Sequence, residues 1–205
     1  VLEPLGAATA RAELDVPATL HAPLFRSCIE SIDESRRIVV LDLGAAQTRT
    51  IELFGGFRCR MEIVDIADSV EALNAEREPA ALGSLVESLL PKAGGEPLDL
   101  VLCWDLLNYF ARPAMTAVMA GIAKRTRRGA LAHGLIVYLE SRMPARPGCY
   151  VPLEDYRLVN LNRGARGDRA APRYSPEDLK RCMPDFSIER GRLLANGMQE
   201  FLFRR

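Results

Sequence analysis

The stretch from Arg36 to Gly56, "RRIVVLDLGAAQTRTIELFGG", constrains the fold more than any other part of the chain. It opens with a short, nearly continuous apolar run rich in β-branched residues, the pattern of a strand buried on both faces of a parallel sheet. Gly44 follows as a turn, and "TRTIELFGG" has the spacing of a return helix that Gly55 and Gly56 end. The theme then recurs. "CRMEIVDIAD" reads as a second strand ending in the acids Asp65 and Asp68, with a helix from about Ser69 to Glu76 behind it. "SLVESLLPKAGGEP" reads as a helix with a Gly-Gly-Glu-Pro stop, and "LDLVLCWDLLNYF" begins with a buried strand. "PAMTAVMAGIAKRTRRG" is an amphipathic helix with a basic last turn, and "LIVYLES" is the next strand. This rhythm predicts an α/β fold: a doubly wound, mostly parallel sheet flanked by helices.

Both ends depart from the rhythm. "LFRSCIESI", Leu24 to Ile32, has helical spacing before the polar turn "DESRR". Residues 1–35 are therefore expected to form a helical segment packing on a core built from residues 36–205. After Arg142 the chain turns rich in Pro, Gly and Arg, with at most a short strand at "YRLVNL". A connection of that length, about 142–173, predicts a lid or insertion. It holds seven arginines and no lysine against Glu154, Asp155 and Asp168. Arginine forks suit carboxylate or phosphate, so a lid for an anionic substrate or acidic partner fits, and so does a solvated loop. "SPEDLKRCM" restarts a helix with Ser175 as N-cap and Pro176 behind it. "FSIERGRLLANGMQEFLFRR" closes the chain as two β-like runs around Asn196-Gly197, the signature of an antiparallel hairpin.

Composition excludes several function classes. A chain of 205 residues that is 48% hydrophobic can bury one substantial core. Lys+Arg and Asp+Glu are both 27, so no global charge argues for nucleic acid or an anionic membrane as partner. The five cysteines are scattered and never spaced C-x-x-C, against a zinc cluster or a disulfide framework and in keeping with a reducing cytoplasm. With only His21 and His133, no metal site is expected. No apolar run reaches the roughly 20 residues that span a bilayer, and no secretory leader is expected from "VLEPLGAATARAEL".

Taken in order, "VLDLGAA", "EIVDIAD", "LDLVLCWDLLNYF" and the final hairpin resemble the class I S-adenosylmethionine-dependent methyltransferase family, over roughly Leu24 to Arg205. The resemblance implies a Rossmann-like sheet with three strands on one side of the first and four on the other, the last antiparallel. It implies S-adenosylmethionine as cofactor and methyl transfer to an O or N nucleophile of a small molecule or protein. It puts Asp65 on the cofactor ribose and Asp42, Gly44, Ala45 and Ala46 along the methionine portion, with Ile66 and Trp104 completing the cofactor site. Independently, Asp65 follows Gly44 by 21 residues, near the roughly 20-residue spacing at which an acid reaches a ribose hydroxyl in dinucleotide-binding folds. The other reading has Asp42 capping the turn and Asp65 as a solvated strand end.

Two departures from the family pattern stand out. Its glycine loop runs acid-x-Gly-x-Gly-x-Gly, whereas here Ala46 and Thr48 replace two glycines, and the branched Thr48 is expected to narrow the pocket. Between Asp65 and the fourth-strand motif no third strand ending in an acid is evident; only Ser84 or Glu87 is on offer. These departures favour a second reading, a non-catalytic relative acting as a binding or regulatory partner. A nicotinamide dehydrogenase fits less well, because a full G-x-G-x-x-G is lacking.

"WDLLNYF" is expected to leave its strand into the crevice, which makes Asp105, Asn108 and Tyr109 the catalytic candidates. A carboxylate or amide there orients an attacking amine or hydroxyl, and a tyrosine bonds the same group. The alternative has Asn108 capping a turn, with Trp104 and Tyr109 as core. The motif lacks Asn-Pro-Pro-Tyr and no Pro precedes Cys103, so nucleic-acid base methylation is disfavoured and Cys103 reads as a small buried hydrophobe. Glu140 and Ser141, at the carboxyl end of "LIVYLES", are candidates to meet substrate. His133, placed before that strand, is assigned to structure.

Overall fold

The computed structural model describes residues 19–92, 95–161 and 167–205. In chain order these form β1 (Thr19–Leu20), α1 (Pro23–Glu30), β2 (Ile38–Asp42), α2 (Thr48–Gly55) and β3 (Cys59–Ile63). A 3-10 turn at Ala67–Ser69 leads into α3 (Val70–Ala75), then α4 (Pro79–Leu89) and β4 (Leu98–Trp104). A second 3-10 turn, Leu106–Tyr109, precedes α5 (Arg112–Ala123) and β5 (Thr126–Val137). The short strands β6 (Arg142–Pro144), β7 (Tyr150–Pro152), β8 (Leu158–Asn160) and β9 (Asp168–Ala170) follow, then α6 (Pro176–Cys182) and the hairpin of β10 (Ser187–Leu193) and β11 (Met198–Arg204).

The main sheet has the order β10-β11-β5-β4-β2-β3. It is parallel from β3 through β5, and β11 runs antiparallel to both β5 and β10. Burial explains the order. Every residue of β2 and of β4 is buried, so both lie inside the sheet with both faces covered, while half-buried β3 and largely exposed β10 form the edges. On its β4 side this is the class I methyltransferase arrangement, four strands with the chain-final one reversed. The other side of β2 holds β3 alone among the described residues, not the three strands that the resemblance implies. Where a third strand is missing in sequence, the chain makes α3 and α4, which pack on each other and on α5. Ser84 bonds the Ala80 carbonyl within α4 and Glu87 pairs with Lys124 at the surface, so neither ends a strand.

One buried carboxylate ties α1 to the sheet. Glu200, on β11, accepts the backbone N–H groups of Leu24 at 2.9 Å and Phe25 at 2.7 Å, first-turn donors that a helix cannot satisfy itself. His133 Nε2 lies 2.9 Å from the same carboxylate. This buried contact makes His133 part of the framework, and it lies inside β5, which begins at Thr126, not ahead of the strand as "LIVYLES" implies. The glycine- and alanine-rich start of β5 has weak β propensity; pairing with β4 and β11 makes it a strand. For the same reason α5 stops at Ala123, and the basic residues expected in its last turn bridge instead to sheet acids, Arg125 to Glu62 at 2.6 Å and Arg127 to Asp99.

The insertion is more ordered than its composition implies. β7 and β8 form a small sheet with β1, and β6 pairs with β9. Three of its five described arginines meet the chain's own acids, Arg142 with Asp168, Arg157 with Asp155 and Arg146 with Asp68, while Arg169 lies over the Tyr109 ring and Arg173 donates to the Tyr138 carbonyl. Arg163 and Arg166 lie outside the described residues. Downstream, Ser175 and Asp178 form a reciprocal capping box at α6. Gly197, at φ 79°, closes the final hairpin by donating to the Leu194 carbonyl at 3.0 Å. Among the described residues no helix is long and apolar enough to cross a membrane.

Candidate functional site

Successive connections leave β2 toward β3 and then cross back to β4, so the winding reverses between β2 and β4. Open α/β sheets hold ligands at such a point, beyond the carboxyl ends of the strands. A cleft of about 270 Å³ opens there. It is lined by Gly44 and Ala45 after β2, by Asp65, Ala67 and Asp68 after β3, by Trp104 at the end of β4 and Asp105 after it, and by residues 146–149 of the insertion.

Trp104 organises the inner wall. Its φ of 48° is unusual for a bulky residue and is held by two contacts. The indole Nε1–H donates to Asp42 Oδ1 at 2.6 Å, and the ring stacks on Tyr150 with planes 12° apart. Asp42 Oδ1 also accepts Gly44 N–H at 2.9 Å. Burial pushes the Asp42 carboxyl up to about 6 against these two donors, with nearby Asp65 adding to the rise. A Cβ on Gly44 would sit 2.9 Å from Trp104 Cδ1, so this position must be glycine for the indole to pack. Gly44→Ala is expected to displace the only tryptophan, red-shifting its emission and costing about 1–3 kcal/mol of stability in a denaturant titration.

Asp105 is the most perturbed carboxyl at the cleft. It is 5% exposed, and burial pushes it up to about 7 although Gly148 N–H donates to its two oxygens at 3.0 and 3.1 Å. Asp105 also lines a second cavity, of about 190 Å³, together with Val137, Glu140, Met143, Tyr150 and Met198. Asp105 therefore lines both spaces.

The remaining residues singled out in the sequence divide clearly. Gly44, Ala45, Asp65, Trp104 and Asp105 come together at the cleft. Asp42 stands behind them, almost fully buried, as the support of the loop. Ala46 is exposed, Ile66 is core, and Thr48 begins α2 without lining the cleft, so the branched side chain does not narrow it. Asn108 is a buried staple: Nδ2 donates to the Asp105 and Leu135 carbonyls at 2.7 and 2.8 Å, and Oδ1 accepts Val137 N–H at 2.9 Å. Tyr109 points its hydroxyl at the Pro144 and Arg146 carbonyls, at 3.1 and 2.7 Å, and so anchors the insertion. Glu140 lines the second cavity, whereas Ser141 lines neither and accepts Ala171 N–H with its carbonyl. Reading the sequence missed Asp68 as a cleft residue and the contribution of residues 146–149, whose Arg146 pairs with Asp68.

The positions that the resemblance gives to S-adenosylmethionine fit a nucleoside better than a methionine tail. Asp65 is exposed, with Oδ1 receiving Ala67 N–H at 3.1 Å and Oδ2 unbonded among the described residues, which suits a ribose hydroxyl. At the other end Asp42 is shielded by the indole, leaving the Gly44–Ala45 backbone and Asp105 to meet a ligand.

No family model matches the chain, and no curated protein matches it. Its structure is similar to that of the 1,6-didemethyltoxoflavin-N1-methyltransferase of Burkholderia thailandensis, solved with 1,6-didemethyltoxoflavin and S-adenosylhomocysteine, at 17% identity and a TM-score of 0.47 over 88% of this chain and 77% of that one. It is similar to the magnesium protoporphyrin IX methyltransferase of Synechocystis, solved with S-adenosylmethionine, at 12% identity and a TM-score of 0.48 over 89% and 76%. It is also similar to human N-acetylserotonin methyltransferase, solved with S-adenosylmethionine, at 14% identity and a TM-score of 0.48 over 88% and 51%.

Proposed function

We propose that the chain binds S-adenosylmethionine in the cleft between β2 and β4 and methylates an O or N nucleophile of a small molecule held in the adjoining cavity. The observation that carries this reading is Asp105, a largely buried acidic residue that lines both spaces. The cofactor, when bound, supplies an electrophilic methyl group on a sulfonium. Asp65 would hold the ribose through its unbonded oxygen, and the Gly44–Ala45 backbone would lie along the ligand. Asp105, poised near neutrality, would take the proton that the acceptor loses. Tyr109 and Asn108 act one step back: they fix the insertion and the floor that hold Asp105 in place.

Calorimetric titration of the chain with S-adenosylhomocysteine tests this. Micromolar binding is expected, and Asp65→Ala should weaken it by about 1–3 kcal/mol. One feature favours a non-catalytic binding partner instead, the Trp104–Asp42 bond that occupies the inner side of the glycine loop. No heat at millimolar ligand on a folded sample would make that second reading the better one.

A further inference from the structure

We infer that the cavity beside Asp105 takes a small apolar or aromatic molecule carrying a protonated amine, with the amine set against Glu140. This rests on the methyl-transfer reading of the adjoining cleft. At about 190 Å³ the cavity has room for one ring with a short side chain. Its walls include Met143 and Met198, and Tyr150 is a fixed aromatic wall because it stacks on Trp104. Soft thioethers and an aromatic face suit a flat apolar body, and the ring face also attracts a cation.

Charge selects within that class. Among the described residues Arg142 is the cation of the lining, and Asp168 already holds it through two bonds of 2.6 Å. Glu140, exposed at the cavity, makes no ion pair or hydrogen bond among the described residues, and Asp105, its carboxyl pushed up to about 7 by burial, adds partial negative charge. An anionic ligand would face both acids with the arginine already paired. A neutral one would leave Glu140 to water and gain nothing from its charge. An ammonium group adds a charge-assisted hydrogen bond to Glu140 with both partners ionised, which neither of the others can make.

Phenethylamine, 2-phenylethanol and 3-phenylpropionate share a ring and a short chain and differ in charge. Each is titrated by calorimetry at pH 7 into the full chain, with S-adenosylhomocysteine saturating and without it. The amine is expected to bind about tenfold more tightly than the alcohol, with no measurable binding of the acid. Glu140→Gln alters an exposed side chain with no partner to lose, and it should erase the preference. An alcohol or acid that matches the amine, a preference that survives Glu140→Gln, or no binding of any of the three beside saturating S-adenosylhomocysteine overturns the inference and leaves the methyl-transfer reading standing. Absence of S-adenosylhomocysteine binding is a separate result: it removes that reading, and the substrate role with it, whatever the amine does.

Discussion

Glu200→Ala is expected to lower stability by about 3–5 kcal/mol, a large part of what a domain of this size has. The carboxylate is fully buried and accepts from Leu24 N, Phe25 N and the His133 ring. Removing it leaves two helix-end donors and an imidazole without acceptor, each at the cost of a desolvated polar group. It also opens a cavity beneath α1. Glu200→Gln keeps one acceptor oxygen and should lose less, about 1–3 kcal/mol. Urea denaturation followed by tryptophan emission measures both, since Phe25 packs against Trp104 with ring centroids 5.7 Å apart and a loosened α1 exposes the indole. An alanine variant that unfolds at the wild-type midpoint would show that apolar packing alone holds α1.

That contact has a sequence signal that is easy to overlook. In "GMQEFLFRR" the alternation puts Met198, Glu200 and Leu202 on one face, and an acid between two apolar residues on a buried face needs a partner. The partner could not be read, because Leu24 and Phe25 lie 176 and 175 residues away. The same division runs through the whole molecule. β2 and β4 were legible because strands covered on both faces must be apolar throughout. The places of Gly44, Ala45 and Asp65 at the cleft were legible because position beyond a strand end fixes them. The early half of β5 was not, since small residues form a strand only where neighbours pair with them. Asn108 and Tyr109 were found as polar residues near the crevice, but their bonds run to the backbone of β5 and of the insertion. Such partners are set by tertiary contact, and residue type alone carries no trace of them. The Gly148–Asp105 contact, across 43 residues, belongs to the same class.

Asp105→Asn should reduce methyl transfer by about 100- to 10,000-fold while leaving S-adenosylhomocysteine binding nearly intact. The carboxylate is needed for its lone pair, and the amide keeps the shape and an acceptor for Gly148 N–H without the basicity. In the unaltered chain the rate should rise as pH passes through about 7, where Asp105 loses its proton, and level off above. Stability should move the other way. Burial holds the folded carboxyl above its unfolded value near 3.9, so the fold prefers the neutral form. That contribution is complete below the unfolded value and is lost as pH climbs toward and past about 7. Asparagine is neutral throughout. At pH 8 the variant should therefore be about 3–5 kcal/mol more stable than the parent, with the gap closing toward pH 4. Single-turnover rates and urea midpoints across that range separate the two effects. Full turnover in Asp105→Asn would end the general-base assignment, whereas lost turnover with raised stability at high pH is what a carboxylate buried for chemistry and not for folding must give.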